Sequence, residues 1–176
     1  MTISLAIDTA TSRTIVGIIE DGVVLFEKFH EGATDHGRAL SQLVAEALKS
    51  SVPPQQVVVG MGPGPFTGLR VGISFAHTFG LARTIPVIGV CSLDAIDIQE
   101  SEYTVAIDAR RKEIYWARYK DGARIEGPSV SKPAEVDRFI IDQYPDMKKL
   151  VSLSAAQNIT GPMYLRRPDA VPTAER

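Results

Sequence analysis

The chain has 176 residues, 44% of them apolar, a formal net charge of −2 and an isoelectric point near 5.9. This length and this apolar content suffice for the core of one domain or of two small lobes. The net charge gives no indication of a basic surface for nucleic acid. No apolar run approaches the roughly 18 residues of a membrane span, and no signal peptide is expected. The single cysteine, Cys91, excludes an internal disulfide, fits a cytoplasmic protein and is expected to be a small buried residue.

The hydrophobic pattern predicts a mixed α/β chain. Strands are predicted near 2–8, 13–20, 23–29, 57–61, 86–90, 103–108, 113–120, 123–129 and 149–153, and helices near 36–50, 67–83, 92–98 and 133–144. In the first helix, apolar residues from Leu40 to Leu48 recur at helical spacing, and Asp35 stands where a cap would stand. Pro133 suits the first turn of the last helix. Helices between strands favour a helix-covered mixed sheet over an all-β sandwich.

A strand motif recurs after one hundred residues. Leu5-Ala6-Ile7-Asp8 is echoed by Val105-Ala106-Ile107-Asp108. An Asp-Gly pair follows each aspartate after thirteen residues, at 21–22 and at 121–122. β-Forming residues fill both intervals, so each copy is predicted to begin as strand, turn, strand and hairpin. Because repeated units indicate repeated structure, we predict two lobes of like topology.

The glycine-rich segment Gly60–Gly72, GMGPGPFTGLRVG, joins a predicted strand to a predicted helix. Such a loop either cradles phosphate or makes a rigid packing turn. A P-loop needs Lys and then Ser or Thr directly after its last glycine, whereas Leu69 and Arg70 follow Gly68. The dinucleotide fingerprint also fails, because Thr67 stands in place of its last glycine. The sequence therefore favours a cramped turn that leads into a packed helix capped by Thr67.

The helix predicted over 67–83 carries small residues at positions 68, 72, 76 and 80, a ridge that another backbone can approach closely. The rest of the helix is apolar nearly all the way round, whereas a surface helix of an isolated domain has one polar side. We therefore expect a second polypeptide to cover this helix, with the polar positions Arg70, Ser74 and His77 at the rim of the contact. The predicted interface residues are Gly68, Leu69, Arg70, Gly72, Ile73, Phe75, Ala76, His77, Phe79 and Gly80.

The ionisable residues give little indication of catalysis. His30, His36 and His77 lack the His-x-x-x-His spacing of a helical metal site, so no metal site is predicted, and His36 is expected to be exposed at a helix start. Asp8 and Asp108 are interpreted as strand-end residues that bond nearby turn amides. The alternative is that both are vestigial positions of a nucleotide site.

Three segments together resemble the bacterial TsaB (YeaZ) family. They are Ala6–Thr11, Gly62–Gly72 and Ala106–Arg110, and Pro162–Arg166 is similar to the family's tail. The resemblance implies a duplicated actin/hexokinase-like (ASKHA) α/β fold, with two lobes of mixed sheet flanked by helices. The first lobe would span 1–100 and carry the partner interface, and the second would span 101–176 and be shortened after Leu150. The chain departs from the family at Pro65, where serine is more common.

The resemblance also implies a role. The family is the dimerisation subunit of the tRNA threonylcarbamoyladenosine complex, in which a paralogous TsaD-type subunit modifies N6 of adenosine 37 in ANN-decoding tRNAs. This chain would be a non-catalytic scaffold that pairs with the TsaD-type paralogue or, when alone, with itself. A TsaE-type ATPase would join the larger assembly, tRNA would be contacted only through the complex, and no membrane would be involved. The chain alone would bind no cofactor, because ATP and metal are expected in the partner subunits.

Two enzymatic alternatives remain, an ASKHA-type ATPase or sugar kinase and a metallopeptidase-like enzyme. Catalytic ASKHA proteins usually follow the first-strand aspartate with glycine, so that the turn can wrap phosphate. Thr9 follows Asp8 and Ala109 follows Asp108, so neither lobe offers this cradle. The metallopeptidase alternative rests only on relatives that carry histidine pairs.

Overall fold

The computed structural model describes residues 1–50 and 52–166. In chain order its elements are β1 (Ile3–Asp8), β2 (Arg13–Glu20), β3 (Val23–Glu31), α1 (His36–Ser50), β4 (Gln56–Gly60), α2 (Phe66–Arg83), β5 (Val87–Val90), β6 (Glu102–Asp108), β7 (Ile114–Lys120), β8 (Ala123–Ser131), a 3₁₀ turn (Pro133–Glu135) and α3 (Met147–Leu153). The eight strands predicted before residue 130 are confirmed to within two residues at each end. Helix α1 coincides with its predicted range, and α2 begins one residue early.

The first sheet has five strands in the order β3-β2-β1-β4-β5. Strands β1 to β3 form an antiparallel meander, and β4 and β5 run parallel to β1. Alternate side chains of the sheet face α1 and α2 on one side and α3 on the other. Because helices cover both faces, the central strands β1 and β4 are almost continuously apolar and buried.

The second sheet repeats the meander but stops at three strands, in the order β6-β7-β8. Both hairpins turn through an Asp-Gly pair with positive φ, at 46° and 83° for Asp21-Gly22 and at 49° and 77° for Asp121-Gly122. Positive φ at both central residues is the geometry that two-residue hairpins prefer. The predicted duplication, with a shortened second lobe, is therefore confirmed at the level of strand order and turn conformation.

One residue pairs with the free edge of β6 in the way a fourth strand would. Ile140 pairs in parallel with Val105, donating its N–H to Thr104 O and accepting from Ala106 N–H, each at 2.8 Å. In the first sheet β4 holds the corresponding position, parallel to β1. The second lobe thus keeps one residue pair of a strand that the first lobe has in full.

The predicted helix near 133–144 is wrong beyond its first turn. Only Pro133–Glu135 is helical, and it is a 3₁₀ turn. Val136 must pack against the outer face of β7 while Ile140 pairs with the edge of β6, and one helix cannot satisfy both contacts. Tertiary contacts therefore override the local helical pattern.

Two shorter predictions also fail. The segment 92–98, which is predicted to be a helix, forms tight turns in which Ala95 N–H donates to Ser92 O. It does so because its apolar residues enter different parts of the core. The strand predicted near 149–153 is helix α3. Asp146 caps this helix by accepting from Lys149 N–H at 2.6 Å, and Met147 and Leu150 pack at helical spacing on the first sheet.

The tail after α3 crosses between the two sheets. Ile159 N–H donates to Gly89 O, and Met163 N–H donates to Met61 O, each at 2.8 Å. The side chains of Ile159 and Met163 contact the cores of both sheets. The family-like tail is therefore a strap that joins the two sheets.

A buried carboxylate fixes the same junction. Asp94 accepts hydrogen bonds from Tyr119 Oη–H and Gln157 Nε2–H, each at 2.7 Å, and Arg124 Nε lies 3.6 Å away. Burial, followed by the Asp94 charge, raises the pKa of the Tyr119 phenol. Sequence reasoning missed this cluster, because its members come from four separate segments.

We predict that Tyr119→Phe lowers the free energy of unfolding by about 1.5–3 kcal/mol, since it removes a donor from a buried carboxylate. Tyr103→Phe is the matched control, because the Tyr103 ring stacks on Tyr119 with centroids 5.1 Å apart while its hydroxyl makes no hydrogen bond within 1–50 and 52–166. Urea unfolding followed by fluorescence measures both variants. Equal effects of the two substitutions would contradict this role of the Tyr119 hydroxyl.

Candidate functional site

Asp8 is enclosed at the end of β1. One carboxylate oxygen accepts from Ser92 Oγ–H at 2.6 Å and the other from Ala10 N–H at 2.8 Å. A methyl group on Gly60 would overlap the Asp8 carboxylate, so this glycine is needed for the close approach. The interpretation of Asp8 as a strand-end residue that bonds a turn amide is confirmed.

Burial raises the pKa of Asp8 to about 6, against the opposing effect of the hydrogen bonds from Ser92 and Ala10. The carboxylate has no exposed surface. Asp8 is therefore placed to hold the turn rather than to meet a ligand.

Asp108 makes the same turn bond in the second lobe, accepting from Arg110 N–H at 2.8 Å. Unlike Asp8 it is exposed, and Arg110 Nη1 lies 3.5 Å from its carboxylate. It lines a small cavity of about 170 Å³ that Asp8 does not reach. Ligand pockets of proteins usually enclose about 300–1,000 Å³. The two aspartates do not converge on one site, and their vestigial nucleotide role stays a prediction.

The glycine-rich loop is filled by the chain itself. A methyl group on Gly64 would lie 2.5 Å from Ala10 O, and one on Gly68 would lie 2.6 Å from Thr9 O. At these two glycines the loop therefore packs directly on the turn after β1. The prediction of a cramped packing turn is confirmed. Thr67 does not cap the helix, since Pro65 is the N-cap and makes no side-chain hydrogen bond.

The small-residue ridge of α2 faces inward. A methyl group on Gly72 would overlap Thr9 Oγ1, and one on Gly80 would overlap the Val87 side chain, while Ala76 is fully buried. Six of the ten predicted interface residues are buried within this chain: Gly68, Leu69, Gly72, Ile73, Ala76 and Gly80. The expectation that a second polypeptide explains the ridge is wrong, because the turn after β1 and strand β5 already cover it.

The opposite side of α2 is exposed and carries two of the remaining predicted positions, Arg70 and His77. Its outer face consists of Phe66, Arg70, Ser74, His77, Thr78 and Leu81, which share one side at helical spacing. Leu81 is 84% exposed and Phe66 48%. Phe75 and Phe79 are half-buried at its edge, with ring centroids 6.1 Å apart. For these exposed positions the partner interface stays a prediction.

The tail enlarges this surface in a way that the sequence did not indicate. The ring of Tyr164 lies 4.9 Å from that of Phe66, centroid to centroid, and the Arg70 guanidinium lies 5.2 Å from the Phe66 ring centroid. In the sequence Tyr164 is only part of the tail motif Pro162–Arg166. The structure places it beside the first turn of α2.

The three histidines lie in separate environments. His36 is buried rather than exposed, because its Nδ1 lies 2.8 Å from Thr14 Oγ1 and Gly68 packs on its ring, and this burial lowers the His36 pKa. His30 lies 3.6 Å from Asp35, and His77 is on the outer face of α2. In the described part of the chain, no three His, Cys, Asp or Glu side chains form a group that could hold a metal ion.

Cys91 is fully buried, as expected, and burial raises the pKa of its thiol to about 12. Within residues 1–50 and 52–166, no helix combines the length and the apolar character needed to cross a bilayer.

The fold and these turns define an α/β protein of two unequal lobes with a repeated strand-end aspartate. The sequence model of the family described as "TsaD: tRNA N6-adenosine threonylcarbamoyltransferase" matches residues 30–170. A Mycobacterium tuberculosis protein, described only as uncharacterised, is 43% identical over 199 residues, which cover 97% of this chain and 94% of that protein.

Relatives with functional names align over a shorter region. The Escherichia coli "tRNA threonylcarbamoyladenosine biosynthesis protein TsaB" is 34% identical over 126 residues, 66% of this chain and 54% of that protein. The Bacillus subtilis protein of the same name is 30% identical over 128 residues, 67% of this chain and 56% of that protein. The chain thus spans little more than half the length of these relatives.

The solved structure of YeaZ from Pseudomonas aeruginosa superposes with a TM-score of 0.79 at 21% identity, over 93% of this chain and 100% of that chain. A second structure, described as similar to peptidase YEAZ from the same organism, gives a TM-score of 0.80 at 23% identity, over 94% and 100% of the two chains. At this identity the likeness shows the fold alone. The family match over residues 30–170 shows that the chain belongs to the TsaD family. The relatives named TsaB confirm the resemblance to TsaB (YeaZ) proteins that the sequence shows.

We predict that Gly72→Ala destabilises the fold by about 1–3 kcal/mol, although alanine is the better helix former, because the added methyl group overlaps Thr9 Oγ1. Gly37→Ala in α1 is the matched control, since a methyl group there meets no atom within 4 Å. In a thermal unfolding series, the second substitution is expected to be neutral or stabilising. A Gly72→Ala variant as stable as the wild type would contradict the inward packing of the ridge.

The raised pKa of Asp8 predicts a pH dependence of stability. The folded protein holds the proton of the Asp8 carboxyl group more tightly than the unfolded chain does. Protonated Asp8 therefore adds to the free energy of unfolding near pH 4, and this contribution is lost as the pH rises through about 6. Relative to Asp8→Asn, which does not titrate, the wild type should lose up to about 3 kcal/mol across this window. Urea unfolding at both ends of the window measures the change. Asp137→Asn, at an exposed carboxylate, is the control, and parallel pH profiles of the wild type and Asp8→Asn would refute the prediction.

Proposed function

We propose that this chain is a non-catalytic scaffold subunit, which supports threonylcarbamoyl transfer to N6 of adenosine 37 in ANN-decoding tRNAs by a TsaD-type partner. The observation that carries the proposal is the outer face of α2, where Leu81 and Phe66 are exposed on a helix whose other side holds the first lobe together. Relatives named TsaB support a place in threonylcarbamoyladenosine biosynthesis.

The aspartate turns support the non-catalytic part of the proposal. Both carboxylate oxygens of Asp8 accept hydrogen bonds from within the chain. Thr9 and Ala10 fill the space where a phosphate-binding turn would need to open. Asp108 is exposed but is paired with Arg110 at a cavity smaller than a usual ligand pocket. An ATPase or kinase would need one of these turns to be free.

The proposed assembly has this chain paired with a TsaD-type paralogue in the cytoplasm, with a TsaE-type ATPase in the larger complex. Alone, the chain would pair with itself. Cofactors, ATP and metal, would belong to the partner subunits, and tRNA would be reached only through the complex.

The test is association of the purified chain with the TsaD-type protein of the same organism, measured by sedimentation. Leu81→Ser is expected to raise the dissociation constant about tenfold if Leu81 is one of the few apolar anchors that carry most of the binding energy of an interface, each of which costs more than about 1 kcal/mol when truncated. Ser74→Trp should interfere by bulk on the same outer face.

Ile125→Ser is the matched control, since Ile125 is 55% exposed on β8, in the other sheet. Loss of affinity in the α2 variants alone would support the interface. Wild-type affinity in both α2 variants would contradict it. Saturable binding of ATP to the isolated chain would favour the kinase alternative instead.

A further inference from the structure

An exposed aromatic ring from the tail lies at the amino-terminal end of α2. It belongs to Tyr164, which follows α3 in the chain and is not part of the first lobe. The Tyr164 ring lies 4.9 Å from the Phe66 ring, centroid to centroid, and the two residues remain 41% and 48% exposed. The Arg70 guanidinium lies 5.2 Å from the Phe66 centroid. We call these three side chains, Phe66, Arg70 and Tyr164, the aromatic corner.

The backbone of the tail fixes the position of Tyr164. Met163 N–H donates to Met61 O at 2.8 Å, at the start of the glycine-rich loop that leads into α2. Tyr164 N–H donates to Pro162 O at 3.0 Å, which makes a tight turn. A ring that is already held in place loses little conformational freedom when another surface covers it, and this favours binding.

The core of the chain does not account for an aromatic residue at position 164. The neighbouring side chains, Met163 and Leu165, pack against buried core residues, whereas Tyr164 between them is exposed. Its hydroxyl has no hydrogen-bond partner within residues 1–50 and 52–166. Apolar residues that are exposed singly need no explanation, whereas two adjacent rings beside an arginine form a patch. The patch therefore indicates a contact outside the chain.

We infer that Tyr164 acts with Phe66 as one anchor of the surface that binds the TsaD-type partner, so that this surface is built from both lobes. The inference rests on the proposed function and adds a residue of the second lobe to the face of α2. Tyrosine and arginine are enriched among the residues that carry most of the binding energy of protein interfaces. Because the tail that holds Tyr164 contacts the cores of both sheets, full affinity depends on the second lobe.

The aromatic corner also specifies the chemistry of the partner's contact. Two adjacent rings fit an apolar pocket, and the Tyr164 hydroxyl and the Arg70 guanidinium fit hydrogen-bond acceptors at the edge of that pocket. Single-stranded RNA also stacks on aromatic rings, but its binding sites add a positively charged groove. Arg70 is the one charged member of the corner, so a protein surface is the occupant that fits.

The test measures association of the full chain with the TsaD-type protein of the same organism by sedimentation. Tyr164→Ala is expected to raise the dissociation constant about tenfold, whereas Tyr164→Phe, which keeps the ring, should raise it less than about threefold. Phe29→Ala is the matched control, because Phe29 is 53% exposed on the edge strand β3 and lies 4.2 Å from the Arg13 guanidinium. This control should leave the affinity unchanged.

A double-mutant cycle tests whether the two rings act together. Phe66→Ala alone should also weaken binding about tenfold. The double variant Phe66→Ala/Tyr164→Ala should then lose much less than about a hundredfold, because the effects of residues in contact are not additive. Urea unfolding of each variant separates binding from folding, since a ring that served only the monomer would change the unfolding midpoint and leave the affinity of the folded chain unchanged.

The contrary outcomes are distinguishable. Wild-type affinity in Tyr164→Ala, with Leu81→Ser still weakened, would overturn the inference and leave the scaffold role intact. Additive effects of the two rings, or equal losses in Tyr164→Ala and Phe29→Ala, would overturn it as well. No association of the wild type with the TsaD-type protein would overturn both proposals. Binding of tRNA to the isolated chain that is lost in Tyr164→Ala, with partner affinity unchanged, would make the corner an RNA surface and overturn the inference.

Discussion

The contact between α2 and the turn after β1 is the constraint on which the first lobe depends. Thr9 and Ala10 lie so close to the helix that Gly64 and Gly72 have no space for a methyl group. Thr9 Oγ–H donates to Gly68 O at 2.7 Å, which ties the turn to the helix. Glycine within a helix costs about 0.5–1 kcal/mol relative to alanine, and this close contact offsets the cost.

The same contact decides what the strand-end aspartates can do. In the first lobe the helix and the glycine-rich loop cover the turn, so Asp8 is sealed and its pKa rises. Between residues 101 and 166 the second lobe has no helix equivalent to α2, and Asp108 makes the same turn bond in the open. One repeated motif therefore has two environments, one sealed and one exposed.

Local patterns predicted the parts of the fold that local patterns control. Alternating strands, the Asp-Gly hairpins and the amphipathic α1 depend on neighbours in sequence, and they were predicted correctly. The segment around Ile140 and helix α3 depend on contacts with distant strands. There the local pattern predicted the wrong elements, a helix for the first and a strand for the second. The ridge of α2 was identified, but its direction was wrong, because a sequence shows that a close contact exists and does not show which backbone makes it.

The inward direction of the ridge accounts for the small residues of α2 without a partner. Its inner side is small because Thr9 and strand β5 lie against it, so that side says nothing about partners. Its outer face needs a separate cause, since Leu81 at 84% exposure contributes nothing to the monomer's core. The partner proposed above would cover Leu81 and Phe66, which the fold itself leaves exposed at the two ends of this face. A partner is therefore inferred from Leu81 rather than from the glycines, because the glycines are needed by the fold and an exposed leucine is not.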